Sequence, residues 1–113
     1  MHELSLCQGI LDAIVAESRR QAFRRVRGVQ LEIGALAGVD GEALRYAWET
    51  VAAGTLAATA VLEIVAVPGV AWCPACRATI NIGEYYDPCS RCHGHGLKIS
   101  GGEQLRIRQL EVE

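Results

Sequence analysis

Two groups of residues in this sequence have donor atoms suited to metal, and they differ chemically. Four cysteines fall in two pairs, Cys73-Pro74-Ala75-Cys76 and Cys89-Ser90-Arg91-Cys92, with twelve residues between the pairs. Each pair offers two thiolates from one tight turn, and the link is long enough to bring both turns around one tetrahedral ion. Zinc suits that donor set, and a rubredoxin-like iron site uses the same spacing. Four thiolates fill the coordination shell and leave no position for an activated water, so the expected role is structural rather than catalytic. The second group is Met1-His2-Glu3. The Met1 α-amine, the His2 amide nitrogen and the His2 imidazole close adjacent chelate rings around one ion, with Glu3 or a distant residue as a further donor. Nitrogen and oxygen in a tetragonal plane suit Ni(II) or Cu(II). A histidine at this position is also commonly a frayed, solvated residue. Both readings stand at this point.

The remaining chemistry-bearing residues have plainer explanations beside them. The position after each cysteine pair often needs a positive φ; it is Arg77 in one pair and His93 in the other, and histidine tolerates that conformation better than arginine. His93 and His95 are either loop residues or groups that exchange onto the metal as pH falls. Cys7 falls on an apolar helical stripe and reads as a buried core thiol. Asp40 is placed to cap a helix, which leaves its second carboxylate oxygen available as a donor. Arg19, Arg20, Arg24, Arg25 and Arg27 make a basic run. Solvated surface charge at a helix C-terminus accounts for it, with a dock for an acidic partner as the other reading.

The elements that must position these residues follow from periodicity. Cys7, Ile10, Leu11, Ile14 and Val15 recur at helical spacing from Leu4 to about Ala22. Val29, Leu31 and Ile33 alternate with Gln30 and Glu32, a strand that Gly34 ends. A second helix is expected from Gly41 to about Ala53, with Leu44, Ala47, Trp48 and Val51 inward and Gly54 as its stop. The run from Thr59 to Val67 reads as a central strand, parallel to the first because a crossover helix joins them. Pro68-Gly69 marks a boundary. After Gly101-Gly102 the chain returns to strand character, but Leu105 and Ile107 lie on one parity and Leu110 and Val112 on the other. A bulge near Arg108 and Gln109 is therefore expected.

The expectation is thus an α+β fold: a small three-stranded mixed sheet with two helices, plus an inserted zinc-ribbon-like module of four cysteines. Residues 1–69 and 102–113 would form the α/β domain and residues 70–101 the zinc-binding domain. The module is poor in apolar side chains, so its metal would supply much of its stability. The whole chain has 113 residues, half of them apolar, and a net charge of −2. Apolar runs stop well short of the ~20 residues that a bilayer span needs, and no secretory pattern opens the chain. The cytoplasm is the expected compartment, and there the paired cysteines are metal ligands rather than disulfides.

Met1-His2-Glu3-Leu4-Ser5-Leu6, the segment Leu31-Glu32-Ile33-Gly34 running on to Gly38-Val39-Asp40, the central Gly54-Thr55-Leu56 and the two cysteine pairs together resemble the HypA/HybF family of nickel-insertion accessory proteins. The resemblance runs nearly end to end, and the opening tripeptide and the cysteine pairs are its specific parts. It implies a metallochaperone that binds Ni(II) transiently and helps deliver it to the large subunit precursor of [NiFe] hydrogenase, working with a HypB-type GTPase. On that resemblance the nickel ligands are His2 with the Met1 amine, then Glu3 and Asp40, and the zinc ligands are Cys73, Cys76, Cys89 and Cys92. A homodimer is among the assemblies it admits.

A nucleic-acid-binding zinc ribbon is the alternative. Phosphate binding needs a concentrated positive surface, yet residues 70–101 set Arg77, Arg91 and Lys98 against Glu84 and Asp87, a net charge of only +1. No nucleic-acid or membrane partner is expected, and no hydrolase or phosphate-loop motif points to an enzyme.

Overall fold

The computed structural model describes residues 2–113. In chain order the elements are α1 (Glu3–Gln21), β1 (Val26–Gly34), α2 (Gly41–Ala52), β2 (Val61–Val67), β3 (Gly69–Cys73), β4 (Ala78–Ile82), β5 (Lys98–Gly101) and β6 (Leu105–Val112). They form two three-stranded sheets, of order β2-β1-β6 and β4-β3-β5. The segment carrying the cysteines is therefore inserted between two strands of the first sheet, as the return of strand character after Gly102 implies.

Contacts divide the chain into two compact units, one of residues Met1–Leu31, Val39–Val65 and Ile107–Glu113, the other of Glu32–Gly38 and Ala66–Arg106. In the first, α1 forms because Cys7, Ile10, Leu11 and Ile14 recur on one face, and all four are buried. Ala22 caps it in the left-handed region at φ 58°, with Arg19 and Arg20 in the last turn where they oppose the helix dipole. Helix α2 packs against α1 through Leu44, Ala47 and Trp48, which are buried. The Cys7 thiol is fully buried and donates to the Leu44 carbonyl at 3.4 Å, so Cys7 is a core residue. Burial, and secondarily the charge of Glu3, pushes this thiol above its ordinary range.

The first sheet is mixed. Val26 N–H donates to the Leu56 carbonyl and Gln30 Nε2 bonds Glu63; partners rise together along both strands, so β1 and β2 are parallel. β6 runs the other way, since Glu111 lies across from Gly28 and Arg106 Nε meets Glu32 Oε2 at 2.7 Å. Along β6, Arg108 and Gln109, where the sequence predicts a bulge, are both exposed. One expectation is corrected. The apolar run Thr59–Val67 is not central: β1 takes that place, β2 lies at the edge, and Val61 is 72% exposed. A continuous apolar run signals burial only where other layers cover both faces, and among the described residues β2 is paired on one side only.

In the second unit, Leu36, Ala71, Cys73, Ile80, Ile82 and Cys89 make a small core. β3 pairs antiparallel with β4, from Gly69 opposite Ile82 to Cys73 opposite Ala78, and with β5 through a register shift at Val70/Ala71. This unit takes in more chain than the composition change at residues 70–101 marks. The reason is a three-way backbone crossing. A β-carbon on Gly34 would stand 2.0 Å from the Gly102 carbonyl oxygen, and one on Gly102, where φ is +90°, would stand 2.4 Å from Gly69 Cα. Three glycines let the end of β1, the start of β3 and the return to β6 touch without side chains, tied by Leu36 N–H to Gly102 O at 2.8 Å and Gly34 N–H to Gln104 O at 2.7 Å. Among the described residues no helix is long and apolar enough to cross a membrane.

Candidate metal centres

The cysteine cluster is built from two short turns held by the second unit's core. Cys73 ends β3 and Cys76 follows one turn later, while Cys89 and Cys92 close the second turn. After each turn the chain must reverse away from the sulfurs, and it does so through left-handed residues, Arg77 at φ 51° and His93 at φ 62°. Both positions are those the sequence singled out. The second turn is pinned by His93 N–H to Cys89 O at 2.8 Å and Cys89 N–H to Gly94 O at 2.9 Å. A side chain at Gly94 would crowd the Cys92 sulfur at 3.3 Å.

The four Sγ atoms lie within 4.8 Å of one another. Cys73 and Cys92 are 3.7 Å apart, and Cys76 and Cys89 3.9 Å. A tetrahedron with metal–sulfur bonds of ~2.3 Å has edges of about 3.8 Å, so these two spacings match those around a zinc ion. Amide groups point at the sulfurs as well: Cys76 N–H at 3.5 Å from Cys73 Sγ, and Arg91 and Cys92 N–H at 3.4 Å and 3.5 Å from Cys89 Sγ. The Cys92 and Arg91 amides hold the Cys89 thiol down to about 6 against the opposing effect of burial. Cys76 is pushed up to about 12, first by its hydrogen bond with Cys92, then by burial and the other sulfurs. Four sulfurs this close cannot all ionise alone, and a dication at their centre is what allows it. With every position filled by thiolate, a zinc ion held here would fix the fold and offer no site for substrate. His93 and His95 are exposed and do not join the cluster.

The other predicted residues lie at the starts of α1 and α2. The Met1 amine lies outside the described residues. His2 is the exposed N-cap of α1, without a side-chain capping bond, and its carbonyl accepts from Leu6 N–H at 3.1 Å. Glu3 is buried to 6% exposure, and its Oε2 accepts from the Asp40 amide at 3.4 Å. Asp40 caps α2 with a single oxygen: Oδ1 takes Glu42 N–H at 3.0 Å and Ala43 N–H at 3.2 Å. Its side chain is exposed. The Asp40 backbone and the Glu3 carboxylate, 37 residues apart in the chain, thus meet. The sequence alone carried no sign that Glu3 is buried or that it touches Asp40, because that closeness depends on how α1 and α2 pack. Among the described residues, the four cysteines are the group that gathers three or more ligand atoms in one place.

Comparison with known proteins is consistent along the whole chain. The family described as "Hydrogenase/urease nickel incorporation, metallochaperone, hypA" matches residues 1–112. Hydrogenase maturation factor HypA of Acidithiobacillus ferrooxidans is 52% identical over 113 residues, all of both chains. HypA 2 of Bradyrhizobium diazoefficiens is 50% identical and HypA of Rhodopseudomonas palustris strain BisA53 48%, again over the full length of both chains. The solution structure of the nickel metallochaperone HypA from Helicobacter pylori shares the fold at a TM-score of 0.71 and 24% identity, covering 99% of this chain and 97% of that one.

Proposed function

This chain belongs to the HypA family of nickel-incorporation metallochaperones, and we propose that it is a hydrogenase maturation factor that takes up Ni(II) at its first residues and passes it on. The donors in this reading are the Met1 amine, the His2 amide and imidazole, and a carboxylate from Glu3 or Asp40. The observation that carries it is the hydrogen bond from the Asp40 amide to Glu3 Oε2 at 3.4 Å, which brings the start of α2 to the carboxylate of the residue that follows His2. A site at the start of a helix is open to a recipient, so donors are exchanged one at a time without unfolding the protein. Metal binding displaces protons from the amine, amide and imidazole, so nickel affinity falls as pH drops between about 8 and 6.

The recipient in this reading is the large subunit precursor of [NiFe] hydrogenase, and a HypB-type GTPase is the partner in transfer. Residues 70–101, folded on zinc, act as a rigid module rather than as an enzyme or a nucleic-acid reader. The cytoplasm is the compartment where both partners would be met. The test is a nickel titration of the native protein beside a version with Gly-Ser placed ahead of Met1, zinc content serving as the folding check. Loss of nickel binding in the extended version with zinc retained is the expected result; equal binding by both would refute coordination through the amine.

A further inference from the structure

The basic run at the end of α1 takes no part in either metal site, and the fold gathers it at one corner. Arg19 and Arg20 lie in the last turn of α1, and Ala22 then turns the chain in the left-handed region. Arg24 and Arg25 lead into β1, and Arg27 is its second residue. All five are exposed. The Arg24 and Arg25 amides both donate to the Glu113 carbonyl, at 2.9 and 3.4 Å, which sets these arginines beside the end of β6. The helix dipole accounts for Arg19 and Arg20, but the other three lie beyond the cap. Arg20 pairs with Glu17 at 2.7 Å and Arg27 with Glu113 at 3.3 Å. The side chains of Arg19, Arg24 and Arg25 meet no acidic group among the described residues. Residues 18–28 hold five arginines and no Asp or Glu, in a chain of net charge −2. A groove of about 290 Å³ opens beside this corner, lined in part by Glu17, Gln21, Phe23, Ile107, Leu110 and Val112. Phe23, Ile107 and Leu110 are half-buried and Val112 is 42% exposed. The Glu17 carboxylate is held by Arg20 and Gln21. Arg108 also lines the groove and is already engaged within the protein, so it adds no free charge.

We propose that this corner docks an acidic segment of a partner protein: Arg19, Arg24 and Arg25 hold Asp or Glu carboxylates, and the groove takes the apolar side chains between them. A guanidinium group meets a carboxylate through two parallel hydrogen bonds. Arginines crowded without counter-charge repel one another in the free protein, and an acidic partner relieves that repulsion. A nucleic acid is the other polyanion to consider. Its phosphates would find nothing to bond along Ile107, Leu110 and Val112, whereas the Leu or Phe side chains of a peptide bury well there. The groove is also at the lower limit of a small-molecule pocket, ~300 Å³, which suits a side chain or two better than a cofactor. The exposed arginines steer and orient the segment, and the groove provides the contact that excludes water. The inference does not depend on the nickel site.

Fluorescence anisotropy on the zinc-loaded full chain tests it, with a short labelled peptide of Asp, Glu and Leu as the probe. The wild type should bind the peptide, with an affinity that falls as salt is raised. Arg24→Glu and Arg25→Glu should each weaken binding by about tenfold or more. Lys98→Glu makes the same change of net charge in the other unit and should alter binding by no more than about twofold. An oligoglutamate of equal charge should bind several times more weakly than the Leu-bearing peptide. Zinc content and circular dichroism check the fold of each variant. No binding by the wild type at low salt, undiminished binding by both arginine variants, or an equal loss in Lys98→Glu would each overturn the proposal. An oligoglutamate bound as tightly as the Leu-bearing peptide would overturn the part given to the groove. A single-stranded oligodeoxynucleotide bound more tightly than the peptide, and lost in the same arginine variants, would overturn it in favour of nucleic acid.

Discussion

In the function proposed for this chain, the four-cysteine cluster and the start of α1 deal with metal in opposite ways. The cysteines come from two turns that backbone bonds and left-handed residues hold in place, and their sulfurs stand at tetrahedral spacing. At the start of α1, His2 is exposed and the Glu3 carboxylate is buried. A closed, preorganised shell keeps its ion; an open one exchanges it. The difference lies in how many donors the fold has fixed before the metal arrives.

The largest expected effect is loss of the closed site. Cys89→Ser removes a buried ligand around which the second unit's core is packed. Because zinc binding is the folding free energy of such a module, of order 10 kcal/mol or more, the variant should lose zinc and the near-ultraviolet signal of Trp72. Zinc analysis and circular dichroism would check this, and intact structure without zinc would break the comparison.

The backbone crossing comes next. Gly102→Ala forces a β-carbon against the Gly69 backbone at a positive φ, and the cost should be about 3 kcal/mol or more, read from the denaturation midpoint.

Acid sharpens the contrast within the closed site. With no metal bound, the Cys89 thiolate stabilises the fold fully above its unfolded value of 9.0 and ceases to do so as pH falls through about 6. Cys76, held up to about 12, keeps its proton until zinc displaces it. Zinc affinity should therefore fall by about tenfold or more per pH unit on acidification, since at least one proton is exchanged for each ion bound. Competition with a chromophoric chelator across the pH range measures it, and a flat profile would contradict the thiolate account.

The smallest effect separates two roles of one residue. Asp40→Ala removes the α2 cap and should cost about 1 kcal/mol, whereas Asp40→Asn keeps most of the cap and removes the charge. If Asp40 is a nickel donor, both variants weaken nickel binding; if it is only a cap, Asp40→Asn leaves nickel binding unchanged. Thermal melts and nickel titration of the same two samples decide between them.

What the sequence disclosed follows the range of the interactions concerned. The cysteine pairs, the positive-φ residues after them and the Asp40 cap each depend on a few adjacent residues, and all were readable. Ile80 and Ile82 also alternate with Thr79 and Asn81, a local sign of β4 that the change of composition obscured. The edge position of β2, the burial of Glu3 and the contact of Gly34, Gly69 and Gly102 depend on partners far along the chain, and no local pattern encodes them. Gly34 and Gly102 read as ordinary strand and turn punctuation until their neighbours in space are known.

The separation of the two sites is tested most directly on a single sample of zinc-loaded His2→Ala protein, by equilibrium dialysis against nickel with both metals counted. His2 is exposed and makes no side-chain capping bond, so the substitution should leave zinc and stability as they are while nickel binding is lost. Nickel retained at the wild-type stoichiometry, with zinc intact, would contradict the account.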